Sequence, residues 1–273
     1  MKPLYLVLTG LLLLNGPAFS QPADTTQLKA FMEGVVTTHL RDKHIAGATV
    51  SVIRDGKILL AKGYGFADVD KQIPVSASST LFRIGSISKM FTWVSVMQLV
   101  AKGKLSLDED INHYMESDVQ VPATFPKPIT LKDLMTHTPG FEDKVLGLFA
   151  RDSSKLRSLH DILLAEMPSR IRATATFASY SNHGTGIAAY IIERVSGMSF
   201  NDYVEKNIIG PLGMTNTSFR QPLPAPLNTQ LSTGYKFAGG EFKKQSFEYV
   251  PLYPVGAAAS SATAWRCCTE GCP

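Results

Sequence analysis

Asp55-Gly56, set between two β-rich runs over 48–53 and 57–64, constrains this chain more than any other short feature. A two-residue link of that composition tolerates the positive φ angles of a tight turn, so the flanking runs are predicted to pair as a hairpin. Helical spacing surrounds it. Apolar residues at 28, 31, 32, 35 and 36 predict a helix over 28–40. A second helix is predicted over 86–101, with Met90, Val94, Met97 and Ala101 along one stripe and Gly103 at its end. Thr130 can cap a short helix over 131–136. Helices over 183–195 and 200–209 are ended by Gly197 and by Gly210-Pro211. Gly239-Gly240 marks a second hairpin over 235–242, and the proline-rich stretches at 122–128 and 222–226 read as loops. The order of hairpin, helical middle and strands predicts an α/β chain, its helical part inserted into a sheet or packed beside it.

The first twenty residues read as an address. Lys2 precedes an apolar run over 4–14, interrupted only by Thr9 and Gly10; Asn15-Gly16-Pro17 breaks it, and Ala18 and Ser20 supply small residues before Gln21. This is the three-part build of a secretory signal peptide over 1–20, implying a secreted or periplasmic protein. The run is too short to span about 30 Å of hydrocarbon, so no stable membrane span is expected after its removal. With 44% apolar and 18% charged residues in 273, the remainder can bury a sizeable core. The net charge of +4, without a block of five like charges, argues against nucleic acid as a partner. All three cysteines, Cys267, Cys268 and Cys272, fall in the last seven residues, so no disulfide staple for the domain is expected.

Ser86 lies three residues before Lys89 at the predicted start of a helix, which puts both side chains on one face. A serine hydroxyl becomes a nucleophile when a base takes its proton, and a lysine can be that base when burial lowers its pKa from about 10.4. A helix N-terminus also directs free N–H groups toward a developing oxyanion. In a chain with 23 serines and 17 lysines, chance alone supplies about one such pair, so the spacing needs context. Tyr180-Ser181-Asn182 offers some. A tyrosine there could relay a proton, and an asparagine amide could hold a substrate amide. The usual explanation of either residue is structural. His137 with Asp133 and Ser86 could form a triad, but Gly85 directly precedes the serine and no Gly-x-Ser-x-Gly elbow exists. The remaining histidines, 39, 44, 113, 160 and 183, show no metal-binding spacing, and no metal site is expected.

Five motifs taken together resemble one family. They are 81–89 with Ser86-Ile87-Ser88-Lys89, 102–108, 134–140, Tyr180-Ser181-Asn182, and Pro211-Leu212-Gly213-Met214, in that order. The chain is similar from about Leu28 to Ala264 to the class C β-lactamase family, which includes low-molecular-weight penicillin-binding proteins, D-stereospecific peptidases and esterases. The Ser-x-x-Lys element is a known signature of related enzymes. The resemblance implies an α/β, β-lactamase-like fold of two parts, with Ser86 as acylated nucleophile, Lys89 as its proton acceptor, Tyr180 as second acid/base group and Asn182 orienting the substrate. It implies a structural turn at His137. It implies a small-molecule or peptide substrate (a β-lactam, a peptidoglycan stem or an ester), no cofactor, and a monomer. The corresponding domain covers 21–263, its sheet part about 21–80 and 230–263, its helical part about 81–229.

The match also breaks. The family carries a Lys-Thr-Gly or His-x-Gly element near its end, and none follows Asn182; Ser232-Thr233-Gly234 has Leu231 in the basic position and comes early. After Ser260-Ser261-Ala262-Thr263 the family continues with Asp-Met-Ala, whereas here Ala264-Trp265-Arg266 follows. Loss of one nucleotide from that Asp codon yields Ala-Trp-Arg, so 264–273 is expected to be a frameshifted tail on a C-terminally truncated chain. Strands lacking on this reading would cover the open edge of the first hairpin, and poor folding with weak or no turnover is the expected consequence.

Overall fold

The computed structural model describes residues 25–142, 144 and 147–268, with side chains as far as Trp265 at the C-terminal end. The leader over 1–20 and the side chains of Cys267, Cys268 and Cys272 lie outside the described residues.

Helix α1 (Thr25–Asp42) precedes the first hairpin, formed by β1 (Gly47–Arg54) and β2 (Lys57–Asp68). Asp55 and Gly56 take φ of 50° and 75°, as a two-residue turn of this kind requires. The strands pair antiparallel from Gly47↔Gly65 to Arg54↔Lys57, with a bulge between Val52 and Ile53, and β3 (Ile73–Pro74) adds to β2. Residue 63 must be glycine: a Cβ there would sit 2.0 Å from the Val75 carbonyl oxygen. Helix α1 rests against β2, held in part by an ion pair between Glu33 and Lys62, and buries only Val36. Phe31 stays exposed, and among the described residues no strand pairs with the outer edge of β1.

After β4 (Phe82–Arg83) the predicted helix over 86–101 divides into a single 3-10 turn (Gly85–Ser88) and helix α2 (Lys89–Ala101). The stripe of Met90, Val94, Met97 and Ala101 exists but faces solvent. The opposite side, Phe91, Thr92, Ser95, Val96 and Leu99, enters the core. Both sides are apolar enough to be buried, so periodicity marked the stripes without deciding which one turns inward.

Helix α3 (Leu131–Met135) carries the Thr130 cap as a full capping box with Asp133. Helix α4 (Leu159–Glu166) was not foreseen, although Ser158 caps it by accepting the Asp161 N–H. Helix α5 (Asn182–Ser196) ends at Gly197, left-handed at φ 70°. Helix α6 (Phe200–Val204) runs into a π-type turn, Glu205–Ile209. The core gathers around α5, which is buried continuously from His183 to Ile192 and touches α2, α3, α4 and α6. Each fully buried Ile or Leu there contributes roughly 1.5–3 kcal/mol.

Four short strands follow. β5 (Thr217–Ser218) is followed by the second hairpin, β6 (Tyr235–Ala238) with β7 (Glu241–Lys244), and by β8 (Ala259–Ser260). β8 lies between β4 and β5, antiparallel to both, so that Phe82 and Thr217 both face Ser260. Its alanines and serines carry no strand pattern, and small residues are needed because the segment is buried, Ala258 fully. Beyond it, Thr263 N–H donates to the Ala77 carbonyl, Ser51 Oγ donates to that of Ala262, and Trp265 stands edge-on to Phe91 at 5.7 Å. The 262–265 turn thereby links the first hairpin to α2.

Candidate active site

Gly85 takes φ 54° and turns the chain from β4 into the 3-10 turn, leaving Ser86 exposed at the end of α2. Lys89, one turn on, is only 4% exposed. Its Nζ donates to Ser86 Oγ at 3.1 Å and to the Val255 carbonyl at 3.0 Å. Among the described residues no carboxylate pairs with it. Burial therefore pushes the Lys89 ammonium below its ordinary range, opposed in part by Tyr180. A buried amine without a counter-ion, within hydrogen-bond reach of an exposed hydroxyl, is the arrangement a general base needs.

Tyr180 lies in the loop before α5. Its ring centroid is 4.8 Å from Lys89 Nζ and 4.5 Å from the His137 ring. His137, at φ 56° just after α3, ties that loop down: its carbonyl accepts the Ser179 N–H at 2.7 Å and its Nδ1 accepts the Ser181 N–H at 3.2 Å. Nδ1 must be unprotonated to accept, and burial, reinforced by the Lys89 charge, lowers the His137 pKa and keeps it so. Asp133 is spent on the Thr130 cap and on Thr138 rather than on His137. The triad has no geometry here, and His137 serves as a turn that positions Tyr180. Asn182 opens α5, half-buried, behind the cap formed when Ser181 Oγ accepts the Gly184 N–H. Among the described residues it makes no hydrogen bond to Ser86, Lys89 or Tyr180.

The backing of the site was not legible in the sequence. Val255 receives Lys89, Ala258 N–H donates to Ser88 Oγ at 3.2 Å, and the Ala258 carbonyl accepts the Ile84 N–H at 3.0 Å. These partners lie about 170 residues from the serine motif and act through their backbone, which no side-chain motif reports. Ser232-Thr233-Gly234 lies elsewhere: Leu231 bridges to Leu81, and the three line a hollow of about 440 Å³ with Arg83 and Lys244, without Ser86.

A family model for β-lactamase matches residues 28–265. This chain belongs to the β-lactamase family. The match covers the stretch over which the motifs implied the resemblance. Protein flp of Staphylococcus aureus is 30% identical over 193 residues, which cover 70% of this chain and 38% of that protein. PbpX of Bacillus subtilis, named for penicillin binding, is 30% identical over 238 residues, 83% of this chain and 54% of that one. The chain thus spans about half the length, or less, of these curated relatives. Among solved structures, the octameric penicillin-binding protein homologue from Pyrococcus abyssi superposes with a TM-score of 0.73 at 25% identity, over 88% of this chain and 55% of its own. A β-lactamase/D-alanine carboxypeptidase from Pseudomonas syringae gives 0.72 at 24% identity, over 89% and 65%, a likeness of fold. The fold of this β-lactamase family member is therefore the β-lactamase-like mixture of helices and sheets that its motifs implied.

Proposed function

We propose that this chain is an extracytoplasmic serine hydrolase that forms an acyl-enzyme on Ser86 with a β-lactam, a D-amino-acid peptide or an ester. The observation that carries the reading is the buried Lys89, without a carboxylate partner among the described residues, its Nζ 3.1 Å from the exposed Ser86 Oγ. In its neutral form Lys89 accepts the Ser86 proton along that contact, and Oγ attacks the carbonyl carbon. Tyr180, beside the amine, passes the proton to the departing nitrogen or oxygen, and water then hydrolyses the ester on Ser86. Asn182 lies close enough in sequence to Tyr180 to meet a substrate amide. The polypeptide needs no cofactor and acts as a monomer, and light scattering on the eluting peak checks its oligomeric state.

Intact-mass measurement after mixing with penicillin tests the reading. An adduct that forms on wild type and not on Ser86→Ala, then disappears with release of the hydrolysed drug, is the expected result. A persistent adduct would instead describe a protein that traps its ligand without turnover. No adduct with a lactam, and no release from a chromogenic ester or D-peptide, overturns the proposal.

A further inference from the structure

At the start of α4, three side chains outside the serine site converge. Glu116 and Asp118 flank Ser117 at the single turn Ser117–Val119, and His160 comes from α4. His160 Nε2 lies 3.3 Å from Glu116 Oε2 and 3.2 Å from Asp118 Oδ2, and all three donor atoms fall within 4.8 Å of one another. One ring N–H cannot serve two carboxylates well at once. A cation bonded at about 2.1 Å to each atom in tetrahedral geometry sets its ligands about 3.4 Å apart, close to both measured spacings.

The surroundings are those of a ligand set whose outer atoms are held. Glu116 Oε1 pairs with Arg194 at 2.7 Å, leaving Oε2 for the centre. The other ring nitrogen, Nδ1 of His160, faces Asp161 at 3.6 Å, the arrangement that orients a metal-bound imidazole. Tyr190 of α5 is a separate observation. It is 3% exposed, its buried hydroxyl closes no hydrogen bond of ordinary geometry, and its ring lies 6.1 Å from that of His160. An orphaned buried donor at this spot suits a water completing the shell of a cation.

We propose that Glu116, Asp118 and His160 bind a divalent transition cation such as Zn2+, which takes imidazole nitrogen and carboxylate oxygen as ligands. The cation clamps the 116–118 turn to α4, away from the Ser86 chemistry. The motif has no contiguous spacing because its imidazole arrives 42 residues after Asp118, on another element.

Calorimetric titration of the full chain with Zn2+ tests this, after the thiols of Cys267, Cys268 and Cys272 are blocked by alkylation. One Zn2+ per chain is expected, with a rise in melting temperature, and a Co2+ complex with visible absorption and no thiolate band. Asp161→Asn is expected to weaken Zn2+ about tenfold, and His160→Ala by more. Should His160→Ala fail to fold by circular dichroism, Asp118→Asn, whose side chain is half exposed, takes its place with the same expectation. Absence of binding at millimolar Zn2+, or unchanged affinity in the ligand variant that folds, overturns the proposal.

Discussion

Helices α2 and α5 are both rich in apolar residues, yet they meet different surroundings. α5 is enclosed by neighbours and buried without interruption over its first ten residues after Asn182. α2 buries one side and leaves Ile87, just ahead of it, and Met90, Val94 and Met97 in solvent, while among the described residues no strand pairs with the outer edge of β1. The two regions share the serine site. Lys89 belongs to the buried side of α2 and Ser86 to the exposed end, while Tyr180 is delivered by the loop that precedes α5. An apolar helix therefore does not fix its own orientation. The elements that reach it do, and the chemistry of Lys89 depends on being on the covered side.

The sharpest test of that contrast is Lys89→Ala. General-base catalysis contributes about 10²- to 10⁴-fold, so acylation of Ser86, followed by rapid-quench mass spectrometry, is expected to slow by that factor. A loss below tenfold would separate burial from catalysis and break the comparison. The same group sets the pH dependence. Because burial lowers the Lys89 pKa from 10.5, the unfolded chain binds more protons than the folded one between the folded value and 10.5. Stability from this group therefore rises with pH across that window. The acylation rate rises about tenfold per unit below the folded value and then levels off. An acylation profile still climbing above pH 10.5 would mean that the amine is not desolvated.

Stability measurements sharpen the difference between the helices. Ile191→Ala, at a fully buried site of α5, is expected to cost about 2–5 kcal/mol in urea unfolding. Met97→Ala, on the exposed side of α2, should stay within about 0.5 kcal/mol. Equal losses at the two would show that the α2 stripe is covered in solution. Between them in size, Thr130→Ala removes the side-chain half of the α3 capping box, leaving the residue 130 N–H on Asp133, and is expected to cost about 1 kcal/mol. A smaller effect would indicate that the residue 130 N–H and Thr138, both on Asp133, hold the turn without the hydroxyl.

Several elements were legible because their signals are local. Asp55-Gly56 imposes its turn on any chain, Thr130 caps the helix that follows it, and Gly197 ends α5 by accepting a conformation that side chains resist. Ser86 and Lys89 were legible for the same reason, since a spacing of three at a helix start brings side chains together whatever surrounds them. α4 was missed because eight residues give too short a periodic pattern, and β8 because a run of alanines and serines favours no element.

The amino-acid sequence by itself determined the family of this chain, its α/β character, the first hairpin and the juxtaposition of a serine with a lysine, all consequences of contacts within a few residues. Tertiary structure alone decided which side of α2 is buried, that His137 holds the Tyr180 loop instead of joining a triad, and that Val255 and Ala258 back the serine motif. It also decided that Glu116, Asp118 and His160 meet. Each of these depends on groups far apart in the chain, several of them backbone atoms, and a one-dimensional pattern cannot register the packing that brings them within hydrogen-bond distance.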